Sequence, residues 1–335
     1  MSREVKLLTV DAGEDASRLD RWFKRRWPHI KRVALNKLFR SGQIRVDGSR
    51  AKPDTRVSTG MVIRVPPLPD AEDKDDKAER EAILTKSDIA YAKSLVIYED
   101  AEVLALNKPS GLAVQGGTKT KKHIDRLLSA WGEGLHRPRL VHRLDRDTSG
   151  VLVLGKTPAA AAKLSGAFAK RRAQKTYWAI VAGNPKPAQG IIEIPLVKEG
   201  INDREMVVPA DPKDPRADPA ETVYVTISRA GARAAWMGLR PNTGRTHQLR
   251  AHMLAIGHAI LGDPKYGDES SDELSGGLKL QLHARSLLLP HPSHGTLSLS
   301  APISAELKAG FRHFGFEESE AEFDPFPHIP KRWRD

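Results

Sequence analysis

Strand signals that follow one another, with helices set among them irregularly, fill the chain beyond about residue 94, and that order limits the possible folds more than any other feature. SLVIYEDAEVLALNKPSG reads as a hairpin turning at Glu99 to Ala101, and KTYWAIVAG, ETVYVTISR, ARAAWMGLRP and GTLSLSAP are further strand candidates. Two helices stand out. One runs from Pro158 to about Arg172, with Thr157 as cap and proline at the first helical position; the other runs from Thr246 to Ile256 and is closed by Gly257. A doubly wound parallel sheet needs a helix after nearly every strand. Strands that mostly follow strands predict α+β instead, with a mixed, largely antiparallel β-sheet.

Ahead of this region the composition changes. From Pro67 to about Lys93, PLPDAEDKDDKAEREAILTKSDIAYAK is proline-led and charged, which reads as a linker with one helical turn. The expected division is an N-terminal extension over 1–17, a small module over 18–66, the linker over 67–93 and the main domain over 94–335. In the module, Asp15 or Ser17 caps a helix over LDRWFKRRW. Lys31 to Ser41 forms a second helix, with Val33, Leu35, Leu38 and Phe39 apolar and Gly42 as its stop. QIRVDGSRA reads as a strand with an Asp47-Gly48 hairpin turn, and VSTGMVIRVP as another. The module is therefore two helices and a small β-ribbon.

Charge is concentrated in the same place. Arg18 to Pro66 holds fourteen Lys and Arg against three Asp and Glu, nearly the whole of the chain's +12. Such a surplus favours a polyanionic partner, with nucleic acid first. Lys24, Arg25, Arg26, Lys31, Arg32, Lys37, Arg40 and Lys52 are the candidate phosphate contacts, and a solvated basic face is the plainer alternative.

The absence of cysteine excludes a disulfide framework, a cysteine zinc site, an iron–sulfur cluster and attack on a pyrimidine by a thiolate. No apolar run approaches the 18 residues of a membrane span, and MSREVKLLTVDAGEDASRLD lacks a signal core, so a cytoplasmic protein is expected. GxxxxGK[ST], GxGxxG and GxSxG do not occur. His247 and His252 are five apart and no zinc signature surrounds them, so neither a metal nor a cofactor is expected.

Two polar clusters remain as carriers of chemistry. In HRLDRDTSGVLVLGK, Asp145 stands between Arg143 and Arg146 at the head of an apolar strand, a position where an arginine would keep a carboxylate ionised. A solvated Arg/Asp turn is the competing reading. In RPNTGRTHQLRAHMLAIGHAILGDPKYG, Arg245 and His247 lie at a helix start, where anions bind well.

VLALNKPSGLAV, LVHRLDRDTSGVLVLGK, QKTYWAIVAG and TGRTHQLRAHMLAIGHAILGDPKYG, with LHARSLLLPHP after them, occur in the order of a known family. Over about residues 95 to 305 the chain resembles the RluA-type pseudouridine synthases. RLDRWFKRRWP, RVALNKLFRSGQIRVDG and GMVIRVP look like the alpha-L RNA-binding module, found also in a ribosomal small-subunit protein and in tyrosyl-tRNA synthetases. Module first and synthase second resembles the large-subunit ribosomal RNA enzymes of the family. Gln115 departs from the pattern, since many members have histidine after that valine. NKPSG and the Gly116-Gly117 pair lean to the C type.

The resemblance implies a cofactor-free isomerase of uridine in ribosomal RNA, or in the assembling large ribosomal subunit, acting as a monomer without a membrane. It assigns Asp145 as the catalytic aspartate, Tyr177 as the ring that stacks on the target base and Arg245 as the partner of Asp145. Arg143 lies against the RNA, and His142, Lys175, His247 and Arg250 complete the substrate-binding set. A tRNA-directed synthase and a non-catalytic ribosome-assembly factor remain open alternatives.

Overall fold

The computed structural model describes residues 5–11, 14, 17–27, 30, 32–68, 84–116, 122–133, 136–201, 204–321 and 326. The chain divides into two units, Met1–Ile83 and Leu84–Asp335.

The first unit comprises β1 (Lys6–Thr9), α1 (Leu19–Arg26), α2 (Arg32–Arg40), β2 (Arg45–Val46), β3 (Ser49–Arg50) and β4 (Val62–Val65), with the strands ordered β1-β4-β2-β3. All three strand pairings are antiparallel. Leu19, Trp22 and Phe23, three and four residues apart, form the buried stripe of α1 and pack with Leu35, Phe39, Ile44 and Ile63. The Asp47-Gly48 turn is as expected, both residues having positive φ.

Two expectations need correction here. Lys6–Thr9 pairs with β4, so part of the stretch read as an extension completes the sheet. Helix α1 has Arg18 at its N-cap with no side-chain cap. The carbonyls of Thr55 and Pro53 accept its first N–H groups, from Leu19 at 2.8 Å and Asp20 at 2.9 Å, which leaves a capping side chain nothing to satisfy. Ser17 instead accepts from Arg25 Nη2 at 2.9 Å, and Asp15 lies outside the described residues.

The second unit opens with α3 (Lys86–Ser94), a full helix where a linker was expected, because Thr85 and Asp88 form a reciprocal cap. The hairpin of β5 (Val96–Glu99) and β6 (Val103–Lys108) follows, then α4 (Ile124–Leu127), β7 (Arg139–Leu140), β8 (Ser149–Gly155) and α5 (Pro158–Ala169). Next come β9 (Gln174–Ala182), β10 (Gln189–Ile192), β11 (Leu196–Ile201), β12 (Arg204–Pro209), β13 (Thr222–Ala230) and β14 (Ala234–Pro241). The remainder is α6 (Gln248–Ala255), α7 (Glu269–Ser275), β15 (Leu282–Pro290), β16 (Thr296–Ser300) and α8 (Ala305–Phe314). The Thr157 side chain caps α5 as its sequence predicts, accepting from Ala160 N at 3.1 Å.

The central sheet is ordered β10-β13-β14-β9-β15-β8-β6-β5, with β16 on β15 and β7 on β8. Its pairings are antiparallel except β15 with β8. The fold is thus α+β with a mixed, largely antiparallel sheet. Alternation along β9 positions the site. Trp178 and Ile180 pack with Leu307 and Phe311 of α8, whereas Tyr177, Ala179 and Val181 turn to the opposite face with Leu249 and Met253 of α6. Gly150 has φ +111°, and a Cβ there would overlap the carbonyl of Ala284, so only glycine lets the loop after Asp145 enter β8 against β15.

Candidate active site

The loop before β8, the start of β9 and the loop between β14 and α6 enclose a cavity of about 1390 Å³. All eight candidate residues of the main domain, His142, Arg143, Asp145, Lys175, Tyr177, Arg245, His247 and Arg250, line it. Gln115 lines it too, so the departure from the family pattern faces the site.

The Asp145 loop is held from behind by a residue that sequence reasoning passed over. Lys108, fully buried at the end of β6, donates from Nζ to the carbonyls of Pro109 at 2.9 Å, Leu112 at 2.8 Å and Arg146 at 2.8 Å. Three acceptors around one nitrogen require the ammonium form. Burial pushes its pKa down to about 7, while the carboxylates of Asp147 and Asp145 act in the opposite direction. The available signal was a lysine at the end of a strand that begins with four apolar residues. Ser110 Oγ, donating to the Asp147 carbonyl at 2.8 Å, ties the same two loops.

Asp145 is half-buried, with His247 Nε2 3.9 Å from its Oδ2. Arg245 is not its partner. Its Nη1 lies 3.0 Å from Asp218 Oδ1 and its Nε donates to the Pro219 carbonyl at 3.1 Å. The turn before α6 accounts for this. Gln248 Oε1 accepts from the Arg245 N–H at 3.0 Å and from the Thr243 hydroxyl at 2.7 Å, while its amide donates to the Glu221 carbonyl and Thr222. His247 is left-handed, φ +53°, so the helix starts at Gln248, later than expected, and the Arg245 side chain points toward the 218–219 segment.

Arg250 and His142 also differ from expectation. Arg250 is buried and donates to both oxygens of Asp263, Nε to Oδ2 at 2.6 Å and Nη2 to Oδ1 at 2.5 Å. Burial opposes its charge, but Asp263 and then Asp145 raise its pKa, so it contributes a fixed positive field and no free donor fork for substrate. His142 Nε2 accepts the Val153 N–H at 2.9 Å and its ring stacks on Phe168 at 4.3 Å. Burial, then the charge of Lys175, lowers its pKa to about 3; it is a neutral anchor for the loop.

Lys175 is an unpaired cation among those that line the cavity. Burial lowers its pKa to about 8, and among the described residues it has no carboxylate or hydrogen-bonding partner. Tyr177 is shifted upward by burial and then by the negative charge of Asp145, so its phenol stays protonated and acts as a donor rather than a base. Arg143 is exposed on the rim. Among the described residues no three His, Asp or Glu side chains converge as metal ligands, and no helix is long and apolar enough to cross a membrane.

In the first unit, Lys24, Lys37, Arg40 and Lys52 are exposed. Arg25 is exposed and bound to Ser17, and Arg26 is tied down by Glu14 at 2.8 Å, Asp11 at 3.0 Å and the Trp22 ring, 4.5 Å from its guanidinium. Lys31 lies outside the described residues, and α2 begins at Arg32. Arg40 and Lys52 share a groove with Asn36, Phe39 and Arg50, a cation absent from the sequence-based set.

The family model for RNA pseudouridylate synthase matches residues 102–255, which span the Asp145 loop, Tyr177 and the start of α6. The chain is 33% identical over 309 residues to a ribosomal large subunit pseudouridine synthase C of Vibrio vulnificus, covering 91% of this chain and 95% of that protein. It is 34% identical over 311 residues to the protein of that name from Salmonella typhimurium, covering 91% and 95%. Among solved structures, human RNA pseudouridylate synthase domain containing 4 superposes with a TM-score of 0.58 at 26% identity, covering 70% of this chain and 99% of that one. Domain containing 1 gives 0.53 at 27% identity, covering 62% and 82%. Similarity that runs through nearly the whole length of these relatives, on the fold described above, means that the chain belongs to the RNA pseudouridine synthase family, enzymes that isomerise uridine to pseudouridine.

Proposed function

We propose that the chain isomerises uridines of large-subunit ribosomal RNA, with Asp145 as the catalytic carboxylate. The observation that carries this reading is the setting of Asp145: a half-buried carboxylate on a loop anchored by Lys108, inside a large cavity and across from a protonated tyrosine and a fixed arginine. The names of the relatives, which act on the large ribosomal subunit, support the substrate.

The reaction breaks the bond between uracil N1 and the sugar C1′, turns the base, joins C5 to C1′ and moves the C5 proton to N1. Nothing is oxidised and no group is lost. Attack on C1′ and removal of the neighbouring sugar proton both need Asp145 ionised, and the fixed charge of Arg250 interacts with that carboxylate. Tyr177 offers a flat face for the base and a hydroxyl that donates. Lys175, Arg143 and Arg245 line the cavity, and their charges suit phosphate oxygens. Unstacking a uridine costs about a few kcal/mol. The basic first unit, an alpha-L RNA-binding module in this reading, contributes that binding energy through Lys24, Lys37, Arg40 and Lys52. The enzyme works in the cytoplasm as a monomer.

The test is to map pseudouridine in ribosomal and transfer RNA from cells with the wild-type chain, with Asp145→Asn and without the chain. Loss of one or more large-subunit positions in the last two is expected. A change confined to transfer RNA would overturn the substrate, and full modification by Asp145→Asn would overturn the assignment of the carboxylate.

A further inference from the structure

The hydroxyl of Tyr266, fully buried after α6, stands between two partners. The Val207 N–H of β12 donates to it at 3.0 Å, and His247 Nδ1 lies 3.0 Å away. A backbone N–H can only donate, so it takes one of the oxygen's two lone pairs. Were Nδ1 to donate into the second, the buried phenol proton would have no acceptor, since Nδ1 is its other contact among the described residues. That contact therefore runs from Tyr266 O–H to His247 Nδ1, which leaves the proton of a neutral imidazole on Nε2, the nitrogen 3.9 Å from Asp145 Oδ2.

Both rings are held. Asp263 Oδ1 accepts the N–H groups of Lys265 at 2.9 Å and Tyr266 at 3.0 Å while its carboxylate grips Arg250, whose guanidinium lies 4.9 Å from the Tyr266 ring centre. His247 is fixed by its left-handed backbone and meets Tyr266 edge-on, 5.4 Å between centroids. Burial lowers the pKa of His247, while the charge of Asp145 works in the opposite direction. The charged and titratable groups around it are Asp145, Arg250, Lys265, Asp263, Tyr266 and Glu205 of β12.

We infer that Tyr266 is a positioning residue for the isomerisation: it selects the His247 tautomer whose Nε2–H points at Asp145 and orients that carboxylate. Apo contacts of this kind are long and tighten when substrate fills the site. The inference rests on the assignment of Asp145 proposed above. With the tautomer reversed, a lone pair would face the carboxylate and repel it.

Tyr266→Phe keeps the ring and removes the donor. Its kcat should fall by roughly tenfold or more, as on losing the hydrogen bond that fixes a working histidine, with KM for RNA unchanged. Protonation of both imidazole nitrogens restores Nε2–H, and because burial lowers the His247 pKa the ratio of variant to wild-type kcat should rise only as pH falls below the ordinary histidine range. In a His247→Gln background, whose amide donates without help, adding Tyr266→Phe should cost nothing further. A ratio flat with pH, or the same fold-loss in both backgrounds, would overturn the inference. If Tyr266→Phe does not fold, ring 15N shifts of His247 in the wild-type chain decide it directly: protonation at Nε2 supports the inference and at Nδ1 refutes it. Turnover by Asp145→Asn would instead overturn the underlying reading, so the two failures are distinct.

Discussion

The Arg250–Asp263 pair allows stability and catalysis to be separated. The side chains are 5% and 0% exposed, and the Asp263 carboxylate receives two guanidinium and two backbone N–H groups. Asp263→Asn keeps the volume but leaves the arginine as an uncompensated buried charge, a change that costs about 3–5 kcal/mol. Arg250→Met strands the carboxylate instead and should cost a similar amount. In Arg250→Met with Asp263→Asn no charge is left unpaired, and the amide oxygen still accepts the N–H groups of Lys265 and Tyr266. The double variant should therefore lose much less than the sum of the singles. Hydrogen exchange read by mass spectrometry suits a chain of two units, because peptides from β9 and β14 report the opening of their own unit alone. A loss of 3–5 kcal/mol accelerates their slowest amides by roughly two to three and a half orders of magnitude. Because Arg250 also supplies positive field at Asp145, the folded double variant should still bind RNA and turn over slowly. Acceleration below about tenfold in both singles, or full additivity in the double, would refute the argument.

Tyr177→Phe keeps the stacking face and removes the donor, so RNA affinity should stay and turnover fall; equal single-turnover rates would leave the hydroxyl without a role. Lys175 is charged below about pH 8 and loses its charge as pH rises through that value, so RNA affinity should decline there. Lys175→Arg, charged throughout, should remove the decline, and an unchanged profile would contradict the contact. Lys108→Met strands three carbonyls and should lower the stability of the second unit by at least about 2 kcal/mol in the same exchange assay. Replacing Lys37, Arg40 and Lys52 by alanine should flatten the salt dependence of RNA binding by about one logarithmic unit per lost phosphate contact while kcat stays. An unchanged slope would remove that face from the interface.

What could be read from sequence was local. The Asp47-Gly48 turn, the Thr157-Pro158 start of α5 and the strands in KTYWAIVAG and ARAAWMGLRP each depend on neighbours within a few positions, and each formed as expected. The strand Lys6–Thr9 is too short to show a period, and its evidence is β4, more than fifty positions away. The hairpin of β11 and β12 went unread although its strands pair closely, and α8 was missed despite Ser304 as cap and Gly315 at its end. Its buried Leu307 and Phe311 declare themselves only against Trp236 and Trp178.

The same distinction explains the error at Arg245. Asp145 and Arg245 both lie in dense polar loops, and the family resemblance assigned them to each other. The contacts that matter are long-range: Arg245 with Asp218, Arg250 with Asp263, and His247 with both Asp145 and Tyr266. Each runs between segments that only the fold brings together. In the proposed reaction this arrangement divides the charges in a useful way. Arg250, whose charge interacts with Asp145, is buried and already paired, so an incoming phosphate cannot draw it away. Arg245 is partly exposed and held by Asp218, itself 60% exposed, a surface ion pair worth about 0–1 kcal/mol that RNA can replace. A single arginine serving both the carboxylate and the substrate would have to weaken one contact to make the other.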